Sequence, residues 1–195
     1  MNIISMNHYE KKVFNLRAEK LIREAGDSFI YFKDYELALK QVNAVLKIDS
    51  GHTKALLLKG DILLCLDNDL EALNYYDKAI ESDKECAQAY GSKAGVLDML
   101  GRQKEALECC NKAFEYATAK DKCLMTALYD QKLSILHSLR RFEEAKSVLK
   151  NAVKNLPSED SEYLLSCYYG TIESSYKEKM RKQEIASKME LQLVY

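Results

Sequence analysis

Histidines, cysteines and short glycine-containing motifs are the features of this sequence that would first indicate catalysis or metal binding. The three histidines, His8, His52 and His137, are each isolated in the sequence. Cys109 and Cys110 are adjacent, and neighbours on a helix point about 100° apart, so they lack the spacing of a redox Cys-x-x-Cys pair or a zinc ligand set. The sequence contains no glycine-rich phosphate loop, no His-Glu-x-x-His motif and no nucleophile elbow. We therefore predict no catalytic residue, no metal site and no cofactor.

The charge balance and the apolar pattern narrow the classes of partner. The sequence has 29 basic and 30 acidic residues, so there is no global field to attract nucleic acid or an anionic membrane. No segment approaches the roughly 20 uninterrupted apolar residues that span a bilayer, and the N-terminal region lacks the apolar run of a signal peptide. The six cysteines lie within helical patterns, so we interpret them as reduced thiols. We expect a cytoplasmic chain that binds neither nucleic acid nor membrane.

Composition and periodicity both favour helices. A single proline and seven glycines leave few of the turn residues that an all-β fold would need. Apolar residues recur at steps of three and four, as at Leu73, Tyr76, Ala79 and Ile80, which is the period of an α-helix. The elements that would position any functional residue are therefore predicted to be amphipathic helices.

Columns of small residues indicate an internal repeat. Ala38, Ala72 and Ala106 recur at a constant interval of about 34 residues, and Ala145 follows after a longer one. Three further columns keep the same intervals: Val45, Ala79, Ala113 and Ala152; Gly26, Gly60, Ala94 and Leu133; and Phe29, Leu63, Leu97 and Leu136. Two antiparallel helices approach closely only where side chains are small, with bulky residues filling the space between them. The columns therefore predict a series of helix pairs that cross at small residues.

These repeats resemble tetratricopeptide repeats. The four windows cover residues 19–52, 53–86, 87–120 and 126–159, with an N-terminal extension over 1–18 and a C-terminal capping helix and tail over 160–195. The resemblance implies an all-α fold, a right-handed α-solenoid of four helix-turn-helix repeats with a C-terminal capping helix. The family's proline at the end of each unit occurs only as Pro157, and Leu133 replaces the usual small residue in the fourth unit. We expect the fourth unit to pack more loosely or at a different angle.

The ends and the irregular junction carry further expectations. The extra residues from Asp121 to Met125 are predicted to lengthen the junction before the fourth unit, with Asp121 as the N-cap of its first helix. Residues from Asn7 to Arg17 should extend the first helix backwards. The capping helix is predicted from apolar residues at helical spacing, namely Leu165, Tyr169, Ile172, Tyr176 and Met180. The apolar end, Leu191 to Tyr195, should dock on the array or meet a partner.

In the family that this chain resembles, the first helix of each pair lines a concave face on which partner peptides lie. On that face Leu57, Leu58 and Leu64 are expected to form an apolar floor, while Gly91, Ser92 and Gly95 hollow the surface beside it. This arrangement predicts a pocket for an apolar side chain of a partner. The alternative interpretation is that neighbouring helices or the C-terminal segment cover the leucines.

Acidic residues recur on the same predicted face. Asp27, Asp61, Asp98 and Asp130 form a candidate acidic stripe that would select lysine or arginine in a partner. The alternative is a simply solvated face. The resemblance also raises the carboxylate clamp, by which some family members use lysine or arginine and asparagine to grip acidic C-terminal tails of heat-shock chaperones. The corresponding residues here are Arg23, Asp27, Leu58, Gln88 and Ser92 or, one unit later, Leu57, Asp61, Ser92, Ala127 and Gln131, and neither set makes the clamp.

The sequence thus predicts a scaffold or adaptor for protein–protein interaction and not an enzyme. Its expected partner is an apolar or basic protein segment bound in the concave groove. Two alternatives stay open at this point. One is a self-associating structural or assembly subunit that forms homo-oligomers through its terminal helices, and the other is a regulatory subunit of an enzyme complex.

Overall fold

The computed structural model describes residues 7–118 and 121–170, which contain helices and no strands. The complete helices are α1 (His8–Ile30), α2 (Tyr35–Leu46), α3 (Thr53–Cys65), α4 (Asp69–Ser82), α5 (Ala87–Met99), α6 (Gln103–Tyr116), α7 (Lys122–Ser138) and α8 (Phe142–Asn155). Residues 158–170 are also helical. The chain divides into two compact units, residues 1–119 and 120–195. The all-α fold class predicted from the sequence is confirmed.

The first unit consists of three helix pairs. Helix α1 packs against α2, α3 against α4, and α5 against α6, while α2 also contacts α3 and α4 contacts α5. In addition α1 contacts α3, and α3 contacts α5. The first helices of the three pairs therefore lie side by side in one layer, and the second helices form the other layer. We call the layer of α1, α3 and α5 the first-helix layer.

The turn inside each helix pair has one residue in the left-handed backbone region. The residues are Lys33 (φ 52°), Asp67 (φ 58°), Gly101 (φ 74°) and Arg140 (φ 57°), which keep the repeat spacing. After α3, α5 and α7, the residue that follows the left-handed one donates its backbone N–H to the carbonyl five residues earlier. Asn68, for example, donates to the Leu63 carbonyl at 3.0 Å. This bond satisfies a carbonyl that the helix end would leave unpaired. Three of the four turns have no glycine there, so the usual sequence marker is missing.

The alanine columns lie in the core, as the repeat spacing predicts. Ala38, Ala72 and Ala106 are fully buried in the first unit, and Ala145 is fully buried in the second. The other small column behaves in the same way, since Val45, Ala79, Ala113 and Ala152 are also fully buried. These small residues are therefore buried between packed helices, as the repeat predicts.

Two glycines in equivalent positions have different surroundings. A Cβ atom built on Gly60 would lie 2.5 Å from Cε1 of Tyr76, so the ring packs directly on the glycine backbone. At Gly26 no atom lies within 4 Å of the corresponding Cβ position. The residue that corresponds to Tyr76 in the first pair is Val42, one repeat earlier, and its side chain is much shorter. The prediction of a tight helix crossing is therefore confirmed at Gly60 and wrong at Gly26.

In the second unit, Asp121 caps α7 by accepting a hydrogen bond from the Leu124 N–H at 3.0 Å, so the predicted N-cap is confirmed. Helices α7 and α8 pack less closely together than the two helices of any other pair. The sequence predicts that this unit packs more loosely or at a different angle, and the less close packing agrees with the first alternative. The buried Leu133 stands where the other pairs have glycine or alanine.

The start of the predicted capping helix falls within the described residues. Leu164 and Tyr168 are buried there, whereas Tyr169 is 61% exposed, so the apolar face predicted through Leu165 and Tyr169 is wrong by one residue. The Ser161 hydroxyl donates to the Pro157 carbonyl at 2.9 Å. Ile172, Tyr176, Met180 and the end from Leu191 to Tyr195, on which the homo-oligomer hypothesis rests, lie outside the described residues. In the part of the chain that the structure covers, no helix is both long enough and apolar enough to cross a membrane.

The contrast between the two glycines gives a test with opposite signs. Gly60→Ala should lower the free energy of unfolding by about 1 to 3 kcal/mol, because the new methyl group overlaps the Tyr76 ring. Gly26→Ala should raise it by about 0.5 to 1 kcal/mol, because alanine is the better helix former and meets no neighbour. Urea denaturation of both variants measures these changes. Shifts of the same sign for both variants would show that the crossing has been placed wrongly.

Candidate functional site

The first-helix layer of the first unit contains most of the predicted binding residues, but two of them are not accessible. Leu57 is 6% exposed, and Gly91 is also buried. The prediction that Leu57 forms part of an open apolar floor is therefore wrong. The reason is that α3 is flanked by α1, α2, α4 and α5, so more of its circumference is covered than its apolar pattern indicates.

The other two leucines are only partly covered. Leu58 packs against the hydrophobic cluster that α1, α2 and α3 build around Ala18, Ala38 and Val42. Leu64, in the last turn of α3, is half-buried. Neighbouring helices therefore cover Leu57 and part of Leu58, which was the alternative interpretation of these residues, and Leu64 keeps the more open position near the helix end.

Asp61 is held by a hydrogen bond from inside the fold. The fully buried Tyr76 donates its hydroxyl to Asp61 Oδ1 at 2.8 Å, and Ser92 on α5 is a further hydrogen-bond partner of that hydroxyl. Burial raises the pKa of the Asp61 carboxyl, and the hydrogen bond from Tyr76 partly offsets this shift. Burial and the neighbouring carboxylate also raise the pKa of Tyr76. This network joins α3, α4 and α5, so Asp61 is more than a solvated charge.

The remaining acidic residues differ in setting. Asp27 is exposed on α1, and Asp98 is half-buried on α5. Asp130 belongs to the second unit, where burial raises its pKa. Within that unit it lines a small cavity of about 190 Å³ with Leu133, Ser134, His137, Ser138, Cys167 and Tyr168. The first unit thus brings three of the four acids onto one layer, and a stripe that includes Asp130 stays a prediction.

Exposed and half-buried apolar residues collect at the C-terminal ends of α1, α3 and α5. We call them the apolar rim: Ile30, Tyr31, Phe32, Leu64, Leu66, Met99 and Leu100. Ile30, Tyr31 and Met99 are 63%, 76% and 70% exposed. The three helices run in the same direction, because each is followed by a returning second helix, so their ends lie at the same edge of the layer. From this group the sequence prediction selected Leu64, as part of the apolar floor, but it did not select the edge as a whole.

The repeat spacing relates the members of the rim. Ile30 and Leu64 are one repeat apart, and Tyr31 and Met99 are two repeats apart, each just before a turn. Apolar residues there have no partner helix beyond the turn to cover them.

The electrostatic setting of the rim is negative. Helices α1, α3 and α5 have no basic residue in their last turn. The C-terminus of a helix carries a partial negative charge from its unpaired carbonyls. Asp27 and Asp61 lie one turn before the rim, on the same helices. Apolar contact and negative potential therefore occur together at this edge.

Comparison with known proteins agrees with the repeat architecture. The family described as tetratricopeptide repeat matches residues 67–120 and again residues 126–155. The chain is 30% identical over 137 residues to the TPR repeat-containing protein MJ1428 of Methanocaldococcus jannaschii, which covers 69% of this chain and 24% of that protein. The chain belongs to the tetratricopeptide repeat family.

Other relatives extend the comparison. Over 148 residues the tetratricopeptide repeat protein is 24% identical to the DnaJ homolog subfamily C member 7 homolog of Schizosaccharomyces pombe, a match that covers 70% of this chain. The chain spans only 24% and 30% of the lengths of these two relatives.

Solved structures share the fold. A crystal structure of MamA superposes with a TM-score of 0.61 at 18% identity, over 74% of this chain and 83% of that one. YrrB, described as a TPR protein with an unusual peptide-binding site, gives 0.56 at 20% identity, over 65% and 62% of the two chains. The TPR2B domain of yeast Sti1, in a complex with pHsp70, gives 0.55 at 22% identity, over 63% and 98%. The helical-repeat solenoid class is confirmed.

The Asp61 network predicts a pH-dependent contribution to stability. Because the folded-state pKa of Asp61 is above its ordinary value of 3.8, folding favours its protonated form. The stability gained from protonated Asp61 is fully present at a pH below its ordinary pKa, and it is lost as the pH rises through its raised folded-state pKa. Asp61→Asn keeps an oxygen for Tyr76 but has no charge, so its free energy of unfolding should be higher than that of the wild type near neutral pH. The advantage should shrink in acid.

Urea denaturation at several pH values between about pH 3 and pH 7 measures this difference. Asp27→Asn, an exposed residue on the same layer, is the matched control and should follow the wild type. A constant difference between Asp61→Asn and the wild type across the pH range would show that the charge of Asp61 is not destabilised by burial.

Proposed function

We propose that this tetratricopeptide repeat protein is a protein-interaction scaffold that binds a partner segment at the apolar rim of its first unit. The exposure of Ile30, Tyr31 and Met99 carries the proposal, since each has most of its apolar side chain in solvent. Soluble chains seldom leave grouped apolar residues uncovered, and such groups are typical of interaction surfaces. The first-helix layer supports the rim, because α3 contacts both α1 and α5.

The partner segment should combine an apolar side chain with lysine or arginine. The rim supplies the apolar contact, while Asp27, Asp61 and the helix C-termini supply negative charge beside it. Ser92, Gly95 and Asp98 on α5 lie on the same layer and complete the proposed surface, with Leu58 and Leu64 between α1 and α5. The proposed partner is apolar or basic, as the sequence predicts. Its anchor, however, is the group of helix ends in the rim and not Leu57.

The relatives support peptide binding as the mode of action. YrrB has a described peptide-binding site, and the Sti1 domain was solved in a complex with pHsp70. We do not extend the chaperone partner to this chain, because its sequence lacks the carboxylate clamp at both possible positions. A cytoplasmic adaptor role stays a prediction from the sequence.

A double variant in the rim tests the proposal. Ile30→Asp combined with Met99→Asp should reduce the recovery of specific partners about tenfold or more, because it replaces the apolar anchor by charge. The measurement is affinity capture on immobilised protein, followed by quantitative mass spectrometry of the retained proteins. Both residues are exposed, so the helical circular dichroism should not change.

The matched control is Leu16→Asp, because Leu16 is 68% exposed on α1 but lies about 21 Å along the helix from Ile30. This variant should capture the same proteins as the wild type. Equal capture by the rim variant and the wild type, with folding preserved, would remove the rim from the binding site.

A further inference from the structure

A second candidate surface lies on the side of the second helices. In the first unit, α2 and α4 form the two sides of a groove of about 1210 Å³, and Leu56 and Lys59 of α3 form its floor. Lys40 and Lys47 of α2, Tyr75 and Lys78 of α4, and the glutamates Glu36 and Glu81 also line it. We call it the lysine groove. None of these residues belongs to the apolar rim.

The lysine groove has a positive balance, since four lysines and two glutamates line it. Across the described part of the first unit, Lys40, Lys47 and Lys78 form no ion pair with another residue. The Lys59 ammonium donates to Asn43 Oδ1 at 2.7 Å, which is a neutral amide. The groove therefore has a net positive charge, because its two glutamates balance only part of the charge of its four lysines.

The tyrosine in the groove fixes two of these ammonium groups. Lys59 Nζ and Lys78 Nζ lie 4.5 and 4.7 Å from the centre of the Tyr75 ring. A lysine at this distance from a ring face is attracted by the ring's quadrupole. The attraction holds both charges at the groove beside the apolar side chains of Leu39, Leu46 and Leu56.

The equivalent place in the next repeat shows that the repeat geometry alone does not make such a groove. One repeat after Asn43, Leu56 and Ser82 stand Asp77, Tyr90 and Tyr116. Lys93, which corresponds to Lys59, forms an ion pair with Asp77. Tyr90 and Tyr116 stack with ring centres 5.7 Å apart. One repeat after the lysine groove, Asp77 therefore neutralises the lysine and two tyrosine rings fill the space. In the lysine groove itself, both the positive charge and the space are available to a partner.

We propose that the lysine groove binds an acidic segment of a partner protein that also carries apolar side chains. Its carboxylates would pair with Lys40, Lys47 and Lys78, and its apolar side chains would contact the partly exposed Leu39 and Leu46. Helix α2 has 12 residues, or about 18 Å, so the groove suits a segment of about three helical turns. The preference is opposite in charge to that of the apolar rim, so the two surfaces select different partners. This proposal does not depend on the proposed function of the rim.

Fluorescence anisotropy with synthetic peptides tests the charge preference. The probe is a dye-labelled peptide as long as α2, with leucine at helical spacing and glutamate elsewhere, and its counterpart has lysine in place of glutamate. The full chain should bind the glutamate peptide about tenfold or more tightly than the lysine peptide, and added salt should weaken the binding. Equal affinity for both peptides would overturn the proposal. So would a single-stranded oligonucleotide that binds as tightly as the glutamate peptide, since the partner class would then be wrong.

Variants then locate the binding. Lys40→Glu combined with Lys78→Glu should weaken the glutamate peptide about tenfold or more, while Lys112→Glu, at the position that corresponds to Lys78 in the next repeat, should leave the affinity within about twofold. Asn43→Asp copies the neutralising Asp77 and should also weaken binding, with little effect on folding. Wild-type affinity in both the double variant and Asn43→Asp would overturn the proposal. Loss of binding only in the Ile30→Asp and Met99→Asp variant would place the peptide on the rim and would likewise overturn it.

Discussion

The packing of one tyrosine ring on one glycine organises the centre of the first unit. Tyr76 fits against α3 only because residue 60 has no side chain, and a Cβ atom there would lie 2.5 Å from the ring. Once the ring is buried, its hydroxyl needs a partner, because an unpaired hydroxyl in the core is costly. Asp61 supplies that partner at 2.8 Å, and Ser92 adds a contact from α5. One close approach therefore determines the positions of three helices and the state of a carboxylate.

The sequence predicts the buried framework well because that framework repeats. Alanines that recur once in every repeat must face a neighbouring helix, and the structure buries all of them. The sequence predicts accessibility less well, because the helical period shows which face is apolar but not how many neighbours surround a helix. Leu57 illustrates this limit, since α3 has helices on several sides. The Tyr76 bond to Asp61 joins residues 15 positions apart on different helices, and no local pattern indicates it.

The repeats also show how one fold supports different surfaces. Buried columns such as Ala38, Ala72 and Ala106 stay small, because any larger residue would separate the helices. Outward columns are free to differ, and the change from Asn43 and Ser82 to Asp77 and Tyr116 alters both charge and space between neighbouring second helices. The apolar rim and the lysine groove arise in the same way. Each is a set of outward residues placed on a framework that the buried columns hold constant.

The carboxylate of Asp61 connects the core of the first unit to its outer face. Its charged form is disfavoured by burial, so the free protein at neutral pH has a folding penalty at this residue. A cationic side chain brought close to Asp61 would favour the charged form and remove part of that penalty. Ligand binding and helix packing would then share one free-energy term, and a basic partner would make the α3, α4 and α5 contacts more stable than they are in the unbound chain.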